Sequence, residues 1–555
     1  MKSFFKSYLR KAAFVFIAFA FINTTLDLKA EHYTVTVTGP GQLENAVSQL
    51  VGGSANYYLI TSLTVIGNLN RADINFLQDL GYLESQGGIG KLEELDISET
   101  NLPNSTLPEF AFSYVGIKNI VLPNSVQTYE WQCFFNSNVK FVTIGTATSV
   151  VFEDPTPNYN SMDYTAFSNT REMVAYEVAA DNQHFTALDG VLYTKDMKNL
   201  VAYPSNKPDN AFVIPETVEK ICFAAVSNTH NLKSLTVPNS LKTISDFGFS
   251  GGNGLSEIQW GTGLETIGYS AFMRAVNMGE LTLPEGLTKI VSSAFYSTGI
   301  TKLTGPSTLT TLGYDCFRGD GFDGSPLVTV DFSNCTNLNT LTGSTFYDCH
   351  YLKNVTLPEG LKVVGDASFQ NCYSIEEIII PNSVQTIEEN AFWMFSELYQ
   401  HQMKKVVLGS GLQQLGFNAF GECGNIVEIY SLNPVPPTLA NDGFEAELNN
   451  KATVYVPVGS LTAYQTANRW QDFNHIEEST VGINDKSLTK SDCKIYNSMN
   501  RLVIENAKPG EVANIYSTAG SLIKTVRISG NIEEIELPGG IFIVRVNNYT
   551  GKVVM

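Results

Sequence analysis

Residues 237–249 read VPNSLKTISDFGF, and the same text returns as TLPEGLTKIVSSAF at 282–295, TLPEGLKVVGDASF at 356–369 and IIPNSVQTIEENAF at 379–392. In each copy a phenylalanine follows a proline by 11 residues: Pro238 leads to Phe249, Pro284 to Phe295, Pro358 to Phe369 and Pro381 to Phe392. Gly261 and Gly409 stand in for the proline before Phe272 and Phe420. From Phe249 through Phe272 to Phe295 the spacing is 23 residues. A fixed period of this length means coils that stack on one another, because a single coil cannot bury its own apolar face. The reading is a β-rich solenoid, and a solenoid presents surface for binding.

Each coil has an L-x-x-L-x-L/V-P run, a short L-x-x-I run and then the phenylalanine. In one coil Leu232, Leu235, Val237, Leu241, Ile244 and Phe249 are expected to point inward. Proline cannot donate to a sheet ladder, so Pro238 belongs at the corner that ends the strand. Cys349, Cys372 and Cys423 each follow a periodic phenylalanine by three residues, while Cys133 and Cys316 immediately precede one. Cysteines held in phase with the repeat are small buried hydrophobes before they are disulfides. No C-x-x-C occurs to suggest a metal site.

The chain has 555 residues, 43% of them hydrophobic and 16% charged, with a net charge of −20. Such a composition folds around a large core. An acidic surface repels phosphate backbones, so nucleic acid is excluded as a partner. Residues 1–30 carry Lys2, Lys6, Arg10 and Lys11 before the apolar run AAFVFIAFAFI, too short to span a bilayer comfortably; they are expected to be a signal peptide, cleaved after Ala30. Residues 31–105 lack the repeat, contain the helix-like GQLENAVSQL, and are expected to form an α+β N-terminal cap; the solenoid follows over 106–480. YVPVGSLTAYQTANRWQDF is expected to close the stack with a terminal coil and a short helix. The polar joint EESTVGINDKSLTKSD leads to residues 484–555, whose short alternating runs predict a small all-β sandwich.

These strings resemble the BspA-type leucine-rich repeat family of bacterial surface proteins over about residues 60–480, through the P-x-S-V/L-x-x-I-x-x-x-A-F pattern. DGVLYTKDMKNLVAYP and the terminal YVPVGSLTAYQTANRWQDF are similar to units of that family. The broader leucine-rich consensus is not followed: no asparagine ladder ends the strand, and phenylalanine forms the spine. NIYSTAGSLIKT, LPGGIFIVRV and GKVVM resemble the type A sorting domain of the type IX secretion system. The first resemblance implies an adhesin-like bacterial surface protein. The second implies a Gram-negative source and a secretion and sorting machinery as a partner, with the chain exported to the outer surface or released.

Catalytic signals are poor. Gly248-Phe249-Ser250-Gly251-Gly252 matches G-x-S-x-G, but Phe249 is a core position and no strand–elbow–helix context surrounds it. The six histidines are scattered, and the carboxylates occupy solvated strand positions. No enzyme and no cofactor are expected. Two binding candidates remain. Arg318-Gly319-Asp320, an integrin-recognition tripeptide, opens the glycine-rich interruption RGDGFDGSP, which is expected to be exposed; FSELYQHQMKK, around Glu397, is a second interruption. The outward face of the strands brings Glu257, Gln259, Glu280, Thr282, Lys302, Thr304, Thr329, Asp331, Asn354 and Thr356 into two columns. The expectation is a binding or adhesion scaffold for extracellular protein or glycan; glycan capture for nutrient uptake, marked by stacked exposed aromatics such as Tyr430, is the alternative.

Overall fold

The structure, a computed structural model, describes residues 31–554 other than 84–87, 152–165, 168, 322–323, 396–399, 441, 480–493, 499–500, 506–509, 518–521, 531, 538–540 and 547–548. The expected signal peptide and most of the polar joint lie outside the described residues.

Leu232, Leu235, Val237, Leu241, Ile244 and Phe249 are all buried, as the periodicity requires. Each regular coil has three sides. The first is a three- or four-residue strand whose side chains alternate inward and outward. The strands on this side, used below, are β1 (Glu31–Val37), β2 (Ile60–Asn68), β3 (Ala211–Val213), β4 (Ser234–Thr236), β5 (Glu257–Gln259), β6 (Glu280–Thr282), β7 (Lys302–Thr304), β8 (Thr329–Asp331), β9 (Asn354–Thr356), β10 (Glu377–Ile379), β11 (Lys405–Leu408), β12 (Glu428–Ser431), β13 (Thr453–Pro457) and β14 (His475–Ser479). Neighbours run parallel, in sheets ordered β3-β4-β5, β6-β7-β8-β9 and β10-β11-β12-β13-β14. The second side is a two-residue strand such as Thr243–Ile244, paired in parallel with Thr266–Ile267.

The third side carries the phenylalanine and is a ladder of turns. Phe249 N–H donates to the Ala271 carbonyl, Phe272 to Ala294 and Phe369 to Ala391, each at 2.7 Å. The residue before each phenylalanine is small and buried (Ala271, Ala294, Ala391, Ala419) because backbones meet there. The rings stack nearly parallel, with centroids 5.1 Å apart for Phe249–Phe272 and Phe272–Phe295, and 4.8 Å for Phe392–Phe420. Phe444 extends the stack, and Trp470 and Phe473 close it edge-on at 6.1 Å. The expected short helix is present at Leu461–Thr466, and the Trp470 indole N–H donates to the Pro437 carbonyl.

At the other end β1 and β2 pair in parallel, and β2 continues into Glu94–Asp96, so Leu92, Leu95 and Ile97 already pack as a coil. Helix α1 (Leu43–Val51) coincides with the helix-like segment, and α2 (Arg71–Gly81) starts at a capping box between Asn70 and Asp73. The buried Asp73 carboxylate also accepts from the N–H groups of Gly41 and Leu43, tying the entries of both helices together. The long variant unit contains an antiparallel hairpin, Phe185–Leu188 with Val191–Thr194. Asp189 and Gly190 both have positive φ there, as a two-residue hairpin turn demands. This hairpin joins two apolar cores, one running from Val35 to Ala202 and the other from Val191 to Phe473. The C-terminal strands form antiparallel sheets of three and four strands around Leu502, Ile504, Ile515 and Val544.

All seven described cysteines are free and buried. The three that follow a phenylalanine donate S–H to the preceding coil: Cys349 to the Phe317 carbonyl at 3.3 Å, Cys372 to Phe346 and Cys423 to Phe392, both at 3.2 Å. Burial pushes the Cys372 and Cys423 thiols well above their ordinary range.

Phe272→Ala removes a ring stacked on both sides. It should lower stability by roughly 3–5 kcal/mol in denaturant titration. Two residues before each phenylalanine the backbone turns left-handed, at φ 49° for Ser270 and 53° for Ala367. Left-handed backbone costs an L-residue about 1–2 kcal/mol, so Ala367→Gly should raise stability by about 1 kcal/mol in thermal unfolding.

Candidate functional site

The outward positions of the first-side strands fall into register as columns. Glu280, Lys302, Thr329 and Asn354 are successive partners along β6 to β9, and so are Thr282, Thr304, Asp331 and Thr356. Strand pairing therefore gathers eight of the ten face residues on one sheet. Thr304, Thr329 and Asp331 are half-buried, and the other five are exposed. Cross-strand contacts order the surface: Lys302 pairs with Glu280 at 3.2 Å, and the Asn354 amide donates to the Thr329 hydroxyl at 3.2 Å. Asp331 is partly committed to its own corner, accepting from the Ser333 N–H at 3.0 Å. Glu257 and Gln259 are exposed on β5, which belongs to the preceding sheet, paired to Ser234 and Thr236 of β4.

Farther along the same side the surface changes chemistry. Tyr430 of β12 and Tyr455 of β13 are register partners, and their rings stack with centroids 4.6 Å apart. The Lys405 ammonium lies 4.9 Å from the centre of the Tyr430 ring and 3.2 Å from the Glu377 carboxylate. Burial, and then the nearby Glu428, raises the Tyr430 phenol above its ordinary range. Ile379 of β10 is exposed in the same column. Tyr455, Lys405 and Ile379 are the members that sequence reasoning missed. The period that places Tyr430 on this face places Tyr455 beside it once the terminal coil is counted as a repeat.

The Arg318-Gly319-Asp320 segment differs from its expected exposure. Arg318 and Asp320 are half-buried, and Gly319 is buried. The Arg318 guanidinium donates to Asp315 at 3.1 Å and lies 4.4 Å from the centre of the Tyr347 ring. Gly319 donates to the Tyr347 carbonyl, and a Cβ there would come within 2.3 Å of the Asp348 carbonyl oxygen. The physical reason is the repeat itself: a segment that begins one residue after the buried Phe317 is still part of the turn ladder. Residues 322–323 of this interruption and 396–399 of the second, including Glu397, lie outside the described residues.

Ser250, the serine of the G-x-S-x-G match, is buried and donates to the Met273 carbonyl at 3.3 Å. Among the described residues no three histidine, cysteine or carboxylate side chains gather as a metal site, and no helix is long and apolar enough to cross a membrane.

The model of the BspA type leucine rich repeat region matches in six copies, over residues 88–183, 205–323 and 319–446. Similar solved structures include a leucine-rich repeat protein from Bacteroides ovatus ATCC 8483, at 19% identity and a TM-score of 0.40, covering 67% of this chain and 79% of that one. One from Eubacterium ventriosum ATCC 27560 has 20% identity and a TM-score of 0.37, over 61% and 83%. A leucine rich cell surface protein from Faecalibacterium prausnitzii A2-165 has 20% identity and a TM-score of 0.37, over 54% and 73%. None of the curated proteins compared matches this chain.

The tethering of Arg318 makes it a packing residue. Arg318→Ala should lower stability by about 1 kcal/mol through its half-exposed ion pair and ring contact. Adhesion to integrin-bearing cells should not change; a loss of adhesion at unchanged stability would return the tripeptide to the list of binding sites.

Proposed function

We propose that this chain, which belongs to the BspA-type leucine-rich repeat family, is an exported scaffold that binds extracellular protein through the outward face of its first-side strands. The observation that carries the reading is the register of that face. Four consecutive strands hold Glu280, Lys302, Thr329 and Asn354 in one column and Thr282, Thr304, Asp331 and Thr356 in the next, on a backbone fixed by ladders on three sides. A rigid, mixed-charge, hydrogen-bonding surface binds without first having to order itself. In this reading residues 31–105 cap the stack, 106–480 form the binding solenoid, and 484–555 address the chain to a secretion and sorting machinery. Residues 1–30 direct export, and the finished chain sits on the outer surface of a Gram-negative cell or is released from it. Neither a cofactor nor catalysis enters the proposal.

A second reading has its own observation. The stacked Tyr430 and Tyr455, with Lys405 over the ring, form an amphipathic patch of the kind that sugars and protein hot spots both use. This is the feature that glycan capture requires.

The two readings separate in one binding screen of the purified chain against matrix proteins and glycans. Thr329→Arg places a bulky charge in the middle of the face and should weaken protein binding by about tenfold or more without lowering the melting temperature. Tyr430→Ala with Tyr455→Ala should leave protein binding intact. Loss of glycan binding in the tyrosine variant, with no protein ligand found, would instead establish glycan capture; no binding to either panel would remove both readings.

A further inference from the structure

The strand ladder on the binding side is not continuous. β5 pairs with β4, and β6 pairs with β7, but β5 and β6 fall in different sheets. One turn farther round the same coils the second-side strands Thr266–Ile267 and Lys289–Ile290 remain paired, and Phe272 still donates to Ala294. The stack therefore stays closed at its spine and opens on one side only. A cleft of about 600 Å³ occupies the opening, within the size range of ligand sites, roughly 300–1,000 Å³. Its walls include Ile258, Trp260, Glu280, Thr282 and Glu285.

Two features of the sequence mark this opening. At the last inward position of the strand run, where β4 leads to Val237 and β6 to Leu283, β5 leads to Trp260. Val237 and Leu283 are buried, whereas the larger indole is half-buried, packed edge-on against Phe272 at 6.2 Å. Regular register would also set Glu257 directly opposite Glu280, and like charges at facing positions are destabilising. Neighbouring pairs avoid this, with Ser234 facing Glu257 and Glu280 facing Lys302. The face is interrupted again between β9 and β10, but there the Lys353–Glu376 ion pair spans the gap at 2.7 Å.

The opening leaves strand backbone without partners. In a parallel strand alternate residues direct their N–H and C=O to opposite sides. Glu257 donates to Lys233 and Gln259 accepts from Val237, so both face β4; Ile258 and Trp260 then face the cleft. Gly279 accepts from Thr301 and Leu283 donates to Thr304, both toward β7, which turns Glu280 and Thr282 to the cleft. The Trp260 indole N–H is also enclosed without an acceptor among the described residues. Unpaired main-chain groups at strand spacing on both walls are what an extended peptide satisfies. The indole, edge-on to Phe272 and with its N–H enclosed, is poorly placed as a stacking platform for a sugar. Glu280 and Glu285 line the cleft, Glu280 sharing its carboxylate with Lys302 at 3.2 Å; Glu257 stands exposed on β5 beside it, and the chain as a whole carries −20.

We propose that this cleft is a receptor for an extended, lysine- or arginine-bearing peptide segment of a partner protein. The segment lies between β5 and β6 as an added strand, and its basic side chain meets Glu257 and Glu280. The inference rests on the binding-scaffold reading and gives it a partner chemistry.

The test uses the full chain with three probes: a blocked hexapeptide alternating lysine and valine, its glutamate counterpart, and a neutral hexasaccharide. Calorimetry should show binding of the lysine peptide alone. Amide hydrogen exchange at Ile258, Trp260, Glu280 and Thr282, fast in the free chain, should slow by about tenfold or more when that peptide is bound. Trp260→Leu, which removes the indole from the cleft wall, should weaken binding of the lysine peptide by about tenfold or more. Glu257→Lys, at an exposed position, keeps the test available should the tryptophan variant fail to fold, and should abolish lysine-peptide binding. Exchange unchanged by the lysine peptide, equal protection by the glutamate peptide or the hexasaccharide, or full binding by Glu257→Lys would each overturn the inference. If Thr329→Arg still weakens a protein ligand in that event, the scaffold reading stands without the cleft; if it does not, both fall.

Discussion

Each coil must advance by the spacing of two hydrogen-bonded parallel strands, about 4.8 Å, and the rest of the structure follows from that step. A stack of flat rings fits the step naturally, which is why the phenylalanine centroids lie 5.1–5.2 Å apart over most of the spine. Such ring pairs add about 0.5–1.5 kcal/mol each beyond the area they bury. The step also explains the alanine before the phenylalanine, because the carbonyl of that residue accepts the N–H of the preceding coil's phenylalanine at 2.7 Å. A larger side chain there would hold the backbones apart. The left-handed residues two before the ring, Ser270 and Ala367 among them, are the conformational cost of bending the chain tightly enough to bring it back into phase.

Because the constraint is periodic, much of the architecture was legible in the sequence. The inward positions from Leu232 to Phe249, the corner prolines, the phase-locked cysteines and the facing columns of β6 to β9 all follow from counting residues. Counting also explains why the G-x-S-x-G match is empty, since Ser250 sits where the turn ladder buries it. What counting misses is any departure that keeps the count. Trp260 occurs in a coil of regular length, with Gly261 to Pro284 spanning 23 residues, so no irregular spacing marks the opening of the ladder. The signal was side-chain volume at a position filled elsewhere by valine or leucine, together with glutamate opposite glutamate.

The converse also holds. Interruptions in the count drew attention to Arg318-Gly319-Asp320, yet extra residues in a solenoid leave the turn ladder only after its hydrogen bonds are met. Ser297 donates to the Arg318 carbonyl and Gly319 to the Tyr347 carbonyl, so the first two residues of the tripeptide still serve the stack. An inserted segment begins to be free surface after these bonds, not at the first residue out of register.

A stack in which each coil touches only its neighbours can carry a local defect that a globular core could not. Its stability is close to a sum of coil and interface contributions. Losing the strand bonds between β5 and β6 therefore weakens one interface, while the ladder through Thr266 and Lys289 and the stacked Phe272 and Phe295 carry the load on the other two sides. The same opening could not be made at the spine, where the backbone bond, the small residue and the ring stack coincide. On the strand side, by contrast, the sequence trades regular pairing for an indole, a cleft and unpaired peptide groups while the stack stays closed.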